Sequence, residues 1–260
     1  MKKEYSRFDT STVFEGMVSL RTLISVMERG EKNDRRIKTV YYSAERVKKE
    51  KKELSWLRHR GEELGFEIKL TEPSIIDEMA TGNTHGGVIA EASERTLPLI
   101  SAETVKESGF YVMIEGIEDP YNFGYAIRSL YASGVDGIIL GKRNWMSAAG
   151  VVCRASAGAS ELIDVFYDDS FENAADLFKS IGYNVVCADI TDSVPIYEAD
   201  LSYPVLLVIG GERRGISRSM LEKADSIVRI DYGRPFDASL SAASAATVAG
   251  FEVYRQRKYN

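Results

Sequence analysis

Cysteine is nearly absent from this sequence: Cys153 and Cys187 are the only two in 260 residues, and they form no CxxC pair. That excludes a disulfide framework and a cysteine zinc site, and it fits a reducing, cytoplasmic setting. Histidine is as scarce, with His59 and His85 both early in the chain. With no G-x-S-x-G either, a serine hydrolase lacks its parts. The glycine fingerprint of a nicotinamide-binding fold and the lysine of a P-loop are missing as well. No uncharged apolar run reaches the roughly 18–20 residues of a membrane span. The start, Met1-Lys2-Lys3-Glu4-Tyr5, lacks the apolar core of a secretory signal. An excess of positive charge is wanting too. The net charge of −6, taken alone, speaks against a nucleic-acid binder.

Net charge is a global number, whereas phosphate contacts depend on local surface. Basic residues crowd between Lys32 and Arg60, including Arg35, Arg36, Lys48, Lys49, Lys51 and Lys52. A solvated helix face explains such a run as well as an RNA surface does. The hydrophobic share of 44% is that of an ordinary globular protein.

Apolar spacing predicts a helix over 13–27 that stops at Gly30. A strand over 37–42, a long charged helix over 45–64 ended by Gly65, and a strand over 66–70 follow. Pro73 can open a short helix, and 84–90 reads as a turn feeding a strand. Alternating strands and helices make this a small α/β domain, residues 1–95. Periodicity lapses over 96–108, read as a linker. The remainder, 109–260, reads as an α/β domain on a parallel sheet. Its strands are expected at 110–114, 137–140, 184–188, 205–209 and 227–230, and its helices at 122–133, 147–157, 171–181 and 239–257. The run 205–209 is continuously apolar, as a strand covered on both faces must be.

Three clusters follow strands, at the edge where open α/β sheets bind ligands. In the first, Glu115 ends a strand and Asn122 is a good cap for the helix that carries Gly124 and Arg128. By itself this is equally a capped helix with a surface arginine. The second is Ile209-Gly210-Gly211-Glu212-Arg213-Arg214-Gly215, where bare backbone can lie against a ligand. The third runs from Ile230 through a glycine-proline loop to Ser239-Leu240-Ser241 and an alanine-rich helix. Ala242, Ala246 and Gly250 give that helix a flat face suited to close packing, which also explains it without a ligand.

In order and spacing, N-x-G-x-x-x-R, then G-x-E-x-x-G, then S-L before the alanine-rich helix resemble the three motifs of the SpoU/TrmH family of RNA ribose 2′-O-methyltransferases. The first domain resembles the L30e-like extension of rRNA-directed members, through Asp34-Arg35-Arg36, the basic helix and the turn 84–89. The resemblance implies a deep trefoil knot in the C-terminal domain, a homodimer, and S-adenosylmethionine as methyl donor without a metal. It implies cofactor contacts at Ile209, Gly210, Gly211, Ile230, Leu240 and Ser241. Asn122, Arg128, Glu212 and Ser239 become the catalytic set, and Arg35, Arg36, Lys48, Lys49, Lys51 and Lys52 the RNA contacts. Ribosomal RNA is favoured over tRNA because of the extension. Arg128 would position and stabilise charge, since guanidinium is a poor base at pKa above roughly 12. The third motif departs from the family's S-L-N-V-S: Ser241 stands for the asparagine and Ala243 for the second serine. That leaves open a non-catalytic RNA-binding or ribosome-assembly relative.

Overall fold

A computed structural model describes residues 12–30, 33–141, 145–202, 204–211 and 213–259. In chain order the elements are β1 (Val13–Glu15), α1 (Gly16–Arg29), β2 (Ile37–Ser43), α2 (Ala44–Lys49), α3 (Lys51–Leu64), β3 (Glu67–Thr71), α4 (Pro73–Met79) and β4 (Val88–Ala92). Next come β5 (Phe110–Glu115), α5 (Pro120–Ala132), β6 (Gly137–Leu140), α6 (Ala149–Ala155), α7 (Ala159–Leu162), β7 (Asp164–Tyr167), α8 (Phe171–Ser180) and β8 (Asn184–Ala188). The last are β9 (Val194–Pro195), β10 (Val205–Gly210), α9 (Arg218–Leu221), β11 (Ser226–Arg229) and α10 (Ala242–Tyr259).

The chain makes two compact units. One comprises residues up to Thr96 together with Trp145–Leu162; the other comprises Leu97–Asn144 and Ile163–Asn260. In the first, four strands run in the order β1-β4-β2-β3, with only β2 and β3 parallel. Residues 13–15, expected as the start of a helix, are a buried strand paired with β4. The helix expected over 45–64 breaks at Glu50, whose φ of −122° and ψ of 48° leave the helical region. His85 serves the turn: its Nδ1 accepts from the Gly87 amide at 3.1 Å.

The helix expected over 147–157 of the second domain instead falls, with the rest of 145–162, in the first unit, where it is realised as α6. Ala149 and Cys153 sit in the core with Phe14, Leu20 and Ile24. Glu161 is buried there, accepting from Arg35 Nε at 2.9 Å and Asn33 Nδ2 at 3.0 Å. Arg154 pairs with buried Glu15.

The second unit is built on a parallel sheet of seven strands, order β7-β6-β5-β10-β8-β11-β9. The central strands β5 and β10 are buried along nearly their whole length, which is why both read as unbroken apolar runs. A nest of rings, Tyr111, Phe178 and Tyr183, fills one side of the core. From β5 the chain moves outward through β6 and β7, then reappears on the other side at β8. The carboxyl ends of the middle strands therefore open onto a crevice.

Candidate functional site

Four strands end at this crevice, and the loops after β5 and β10 interlock there. A Cβ on Gly211 would fall 1.9 Å from the Gly116 carbonyl oxygen, so only glycine permits that approach. A Cβ on Gly210 would lie 2.4 Å from the Gly215 carbonyl carbon, because the loop folds straight back and the Gly215 amide donates to Gly211 at 3.1 Å. Glu115, at the end of β5, accepts from the Ser217 amide at 3.1 Å. The first and second clusters, remote in sequence, are thus joined.

Next to this junction lies a cavity of about 280 Å³. Its lining includes Ile209, Gly210, Gly211, Ile230, Ser239 and Leu240. Ala242, Ala245 and Ala249 of α10 contribute a wall of methyl groups. Bare backbone, aliphatic walls and few polar side chains suit a flat, nitrogenous ring held by main-chain groups, so the lining fits a nucleoside such as S-adenosylmethionine. Three further lining residues carry polar chemistry that motif reading missed: Asp189, Arg229 and Tyr232. Asp189 and Arg229 had a usable signal, since each lies at the carboxyl end of a parallel strand. The Tyr232 hydroxyl accepts from the Leu240 amide at 3.0 Å, clasping the loop between β11 and α10.

Ser241 is not among the lining residues. Its hydroxyl accepts from the Ser244 amide at 3.2 Å and caps α10, which begins at Ala242 rather than at 239. Asn122 does not cap α5 either. Pro120 opens that helix, and Asp119 caps it by accepting from the Asn122 amide at 2.8 Å. Asn122 and exposed Arg128 lie on α5, outside the cavity lining. That helix packs on α10 as the flat face foretold: a Cβ on Gly250 would meet Ser133 Oγ at 2.8 Å, and Thr247 donates to Ser129 at 2.7 Å. Glu212 lies outside the described residues.

Neither cysteine is a nucleophile near neutral pH. Burial pushes both thiols up to about 12, with nearby Glu115 and Asp189 adding to the effect at Cys187. Among the described residues no group of three or more His, Cys, Asp or Glu is placed to hold a metal ion. No described helix is long and apolar enough to cross a membrane.

The expected basic surface divides. Lys48, Lys49, Lys51 and Lys52 are exposed around the α2–α3 joint, and Arg36 is exposed as well. Arg35 is not a surface contact. It is 1% exposed, paired with Glu161, and stacked 4.8 Å from the Phe14 ring. A guanidinium so placed holds the first unit together and cannot reach a phosphate.

Comparison with known proteins gives the chemistry a context. Residues 109–251 match the SpoU rRNA methylase family. A protein of Staphylococcus saprophyticus placed in the TrmH family of tRNA/rRNA methyltransferases is 36% identical over 148 residues, 57% of this chain and 59% of that protein. The 23S rRNA (guanosine-2′-O-)-methyltransferase RlmB of Shewanella oneidensis is 28% identical over 219 residues, 81% of this chain and 87% of its own. The AdoMet-bound rRNA methyltransferase of Sinorhizobium meliloti superposes with a TM-score of 0.76 at 22% identity, covering 96% of this chain and 88% of that one, and so shares the fold. The family match spans the strands, loops and helices that build the cavity, and on that ground this chain belongs to the SpoU rRNA methylase family.

Proposed function

We propose that this chain transfers the methyl group of S-adenosylmethionine to a ribose 2′-oxygen of RNA, with ribosomal RNA as substrate, working in the cytoplasm as a homodimer. The observation that carries the reading is the cavity at the strand ends, lined by the glycine pair of β10, Ile230, and the Ser239-Leu240 step before α10. When bound, the sulfonium supplies the electrophilic methyl group. The chain's own task is to hold a hydroxyl in line with it and ease loss of its proton. Backbone at Ile209, Gly210 and Gly211 holds the nucleoside. Ser239, on the cavity wall, faces the incoming ribose. Arg128 supplies positive charge to the RNA or to the developing alkoxide, with Asn122 on the same helix and Glu212 as its positioning partners.

The departures in the third motif spare this machinery. Ser241 is as good a helix cap as the asparagine it stands for, and Ala243 offers its carbonyl to Thr247 at 2.9 Å within α10. Both fall outside the cavity lining, which favours an active enzyme over a binding relative. The reading includes a C-terminal segment threaded as a trefoil knot. In its support, α10 returns after β11 to line the same cavity as the loop after β10. Dimer formation is supported by Tyr121 and Tyr125, 41% and 49% exposed on the α5 face that carries Arg128.

The test is methyl transfer from labelled S-adenosylmethionine to rRNA and to tRNA. Label in a ribose of rRNA is expected; label only in tRNA would overturn the substrate assignment, and label in neither the enzymatic one. Arg128→Ala should abolish transfer while leaving calorimetric cofactor affinity within about twofold. Retained transfer would remove Arg128 from the mechanism.

A further inference from the structure

The cavity holds one carboxylate among its described lining residues, Asp189, and nothing in the glycine loops or the serine-leucine step accounts for it. It directly follows β8 (Asn184–Ala188), beside the ends of β10 and β11. Its backbone is fixed, with the amide donating to the Val228 carbonyl at 3.0 Å. Its side chain is also fixed, since Oδ1 accepts from the Thr191 amide at 3.0 Å in a local turn. The second oxygen, Oδ2, points toward the glycine loop of β10. A methyl group built on Gly215 would lie 3.8 Å from it. Arg229, the other charged lining residue, does not neutralise Asp189. Its Nε lies 2.7 Å from Asp231 and its Nη1 donates to the Ser193 carbonyl.

A held carboxylate oxygen, the one carboxylate in a cavity lined mostly by backbone and aliphatic groups, with Arg229, Tyr232 and Ser239 as its other polar side chains, is a strong acceptor looking for donors. On a nucleoside the paired donors are the ribose hydroxyls, and an acidic side chain beyond a parallel strand is well placed to accept from them while the base lies on glycine backbone. We propose that Asp189 accepts the ribose hydroxyls of the bound cofactor and so fixes the nucleoside's rotation in the cavity. The proposal rests on the cofactor reading above.

Asp189→Asn is the informative variant, because its amide oxygen can still accept from Thr191 while the inward acceptor becomes a donor. Calorimetry would use S-adenosylhomocysteine, which carries the whole nucleoside and the amino-acid tail, and methylthioadenosine, which lacks that tail. In the full-length protein, the substitution should weaken both ligands by the same factor, roughly tenfold or more. The penalty for 2′- or 3′-deoxy-methylthioadenosine, clear in the wild type, should vanish in the variant. Weakening of S-adenosylhomocysteine alone would place Asp189 at the ammonium group and overturn the proposal. So would undiminished binding of both ligands, or a deoxy penalty that survives the substitution, which would point to the base. A wild-type protein that binds neither ligand would instead sink the cofactor reading itself.

Discussion

Glycine 211 shows what a single position can be asked to do. Its missing side chain lets two loops from different parts of the chain touch backbone to backbone, and the cavity wall is the product of that contact. Gly211→Ala forces the Gly116 loop away, an overpacking that costs about 1–3 kcal/mol. Cofactor affinity should fall at least tenfold while the fold survives. Gly233→Ala is the control, since a Cβ there meets nothing within 4 Å; it should change neither quantity. Calorimetry and thermal unfolding on the two variants decide the matter, and equal behaviour would show that the loop junction does not shape the cavity. Ser239 and Leu240 were legible as a pair because strand, glycine-proline loop and helix start follow in order. Ser241 reads as a ligand contact, whereas its hydroxyl caps α10 outside the cavity lining: a hydroxyl one residue before a helix has two uses, and sequence alone does not choose between them.

Among the elements, those covered on both faces could be read directly: β5 and β10 are apolar throughout because no residue in them meets water until the end. Short pieces could not. β1 spans three residues, β9 two and α9 four, too few for any period to register. The break at Glu50 carries neither glycine nor proline, and no local signal announces it. The small-residue stretch 147–157 had the right helical character, but nothing in Ala149 or Cys153 says which core they enter. Arg35 was misjudged for a related reason: its partner Glu161 lies 126 residues away. Its burial sets a clear expectation. Arg35→Ala leaves Glu161 buried without its ion partner, at a cost of about 3–5 kcal/mol. Urea unfolding should register that loss, whereas RNA affinity measured well below the melting point should hold. Lost affinity at unchanged stability would restore Arg35 to the RNA surface.

For the whole molecule, the return of 145–162 changes how the first unit's role can be tested. Removing residues 1–95 would uncover Ala149 and Cys153 and strip Glu161 and Arg154 of their partners, so a truncated protein would report on misfolding as much as on RNA. Substitutions in the full chain avoid this. If the protein forms the proposed dimer through the exposed face of α5, Tyr125→Glu should leave it monomeric in sedimentation, with its thermal unfolding little changed at matched low concentration; a wild type that sediments as a monomer, or a variant of unaltered dimeric mass, would overturn that contact. The lysines offer the cleaner question about RNA. Lys48 and Lys49 close α2, where positive charge suits the helix dipole, but Lys51 and Lys52 open α3, where it does not. An anionic partner would relieve that local repulsion, and the phosphate backbone supplies one. If each lysine neutralises about one phosphate, replacing all four by glutamine should reduce the slope of log affinity against log salt by roughly 3. At low salt the variant should bind rRNA fragments far more weakly while cofactor affinity stays fixed. A slope identical to the wild type's would mean that these lysines face water, and that RNA is held by another surface.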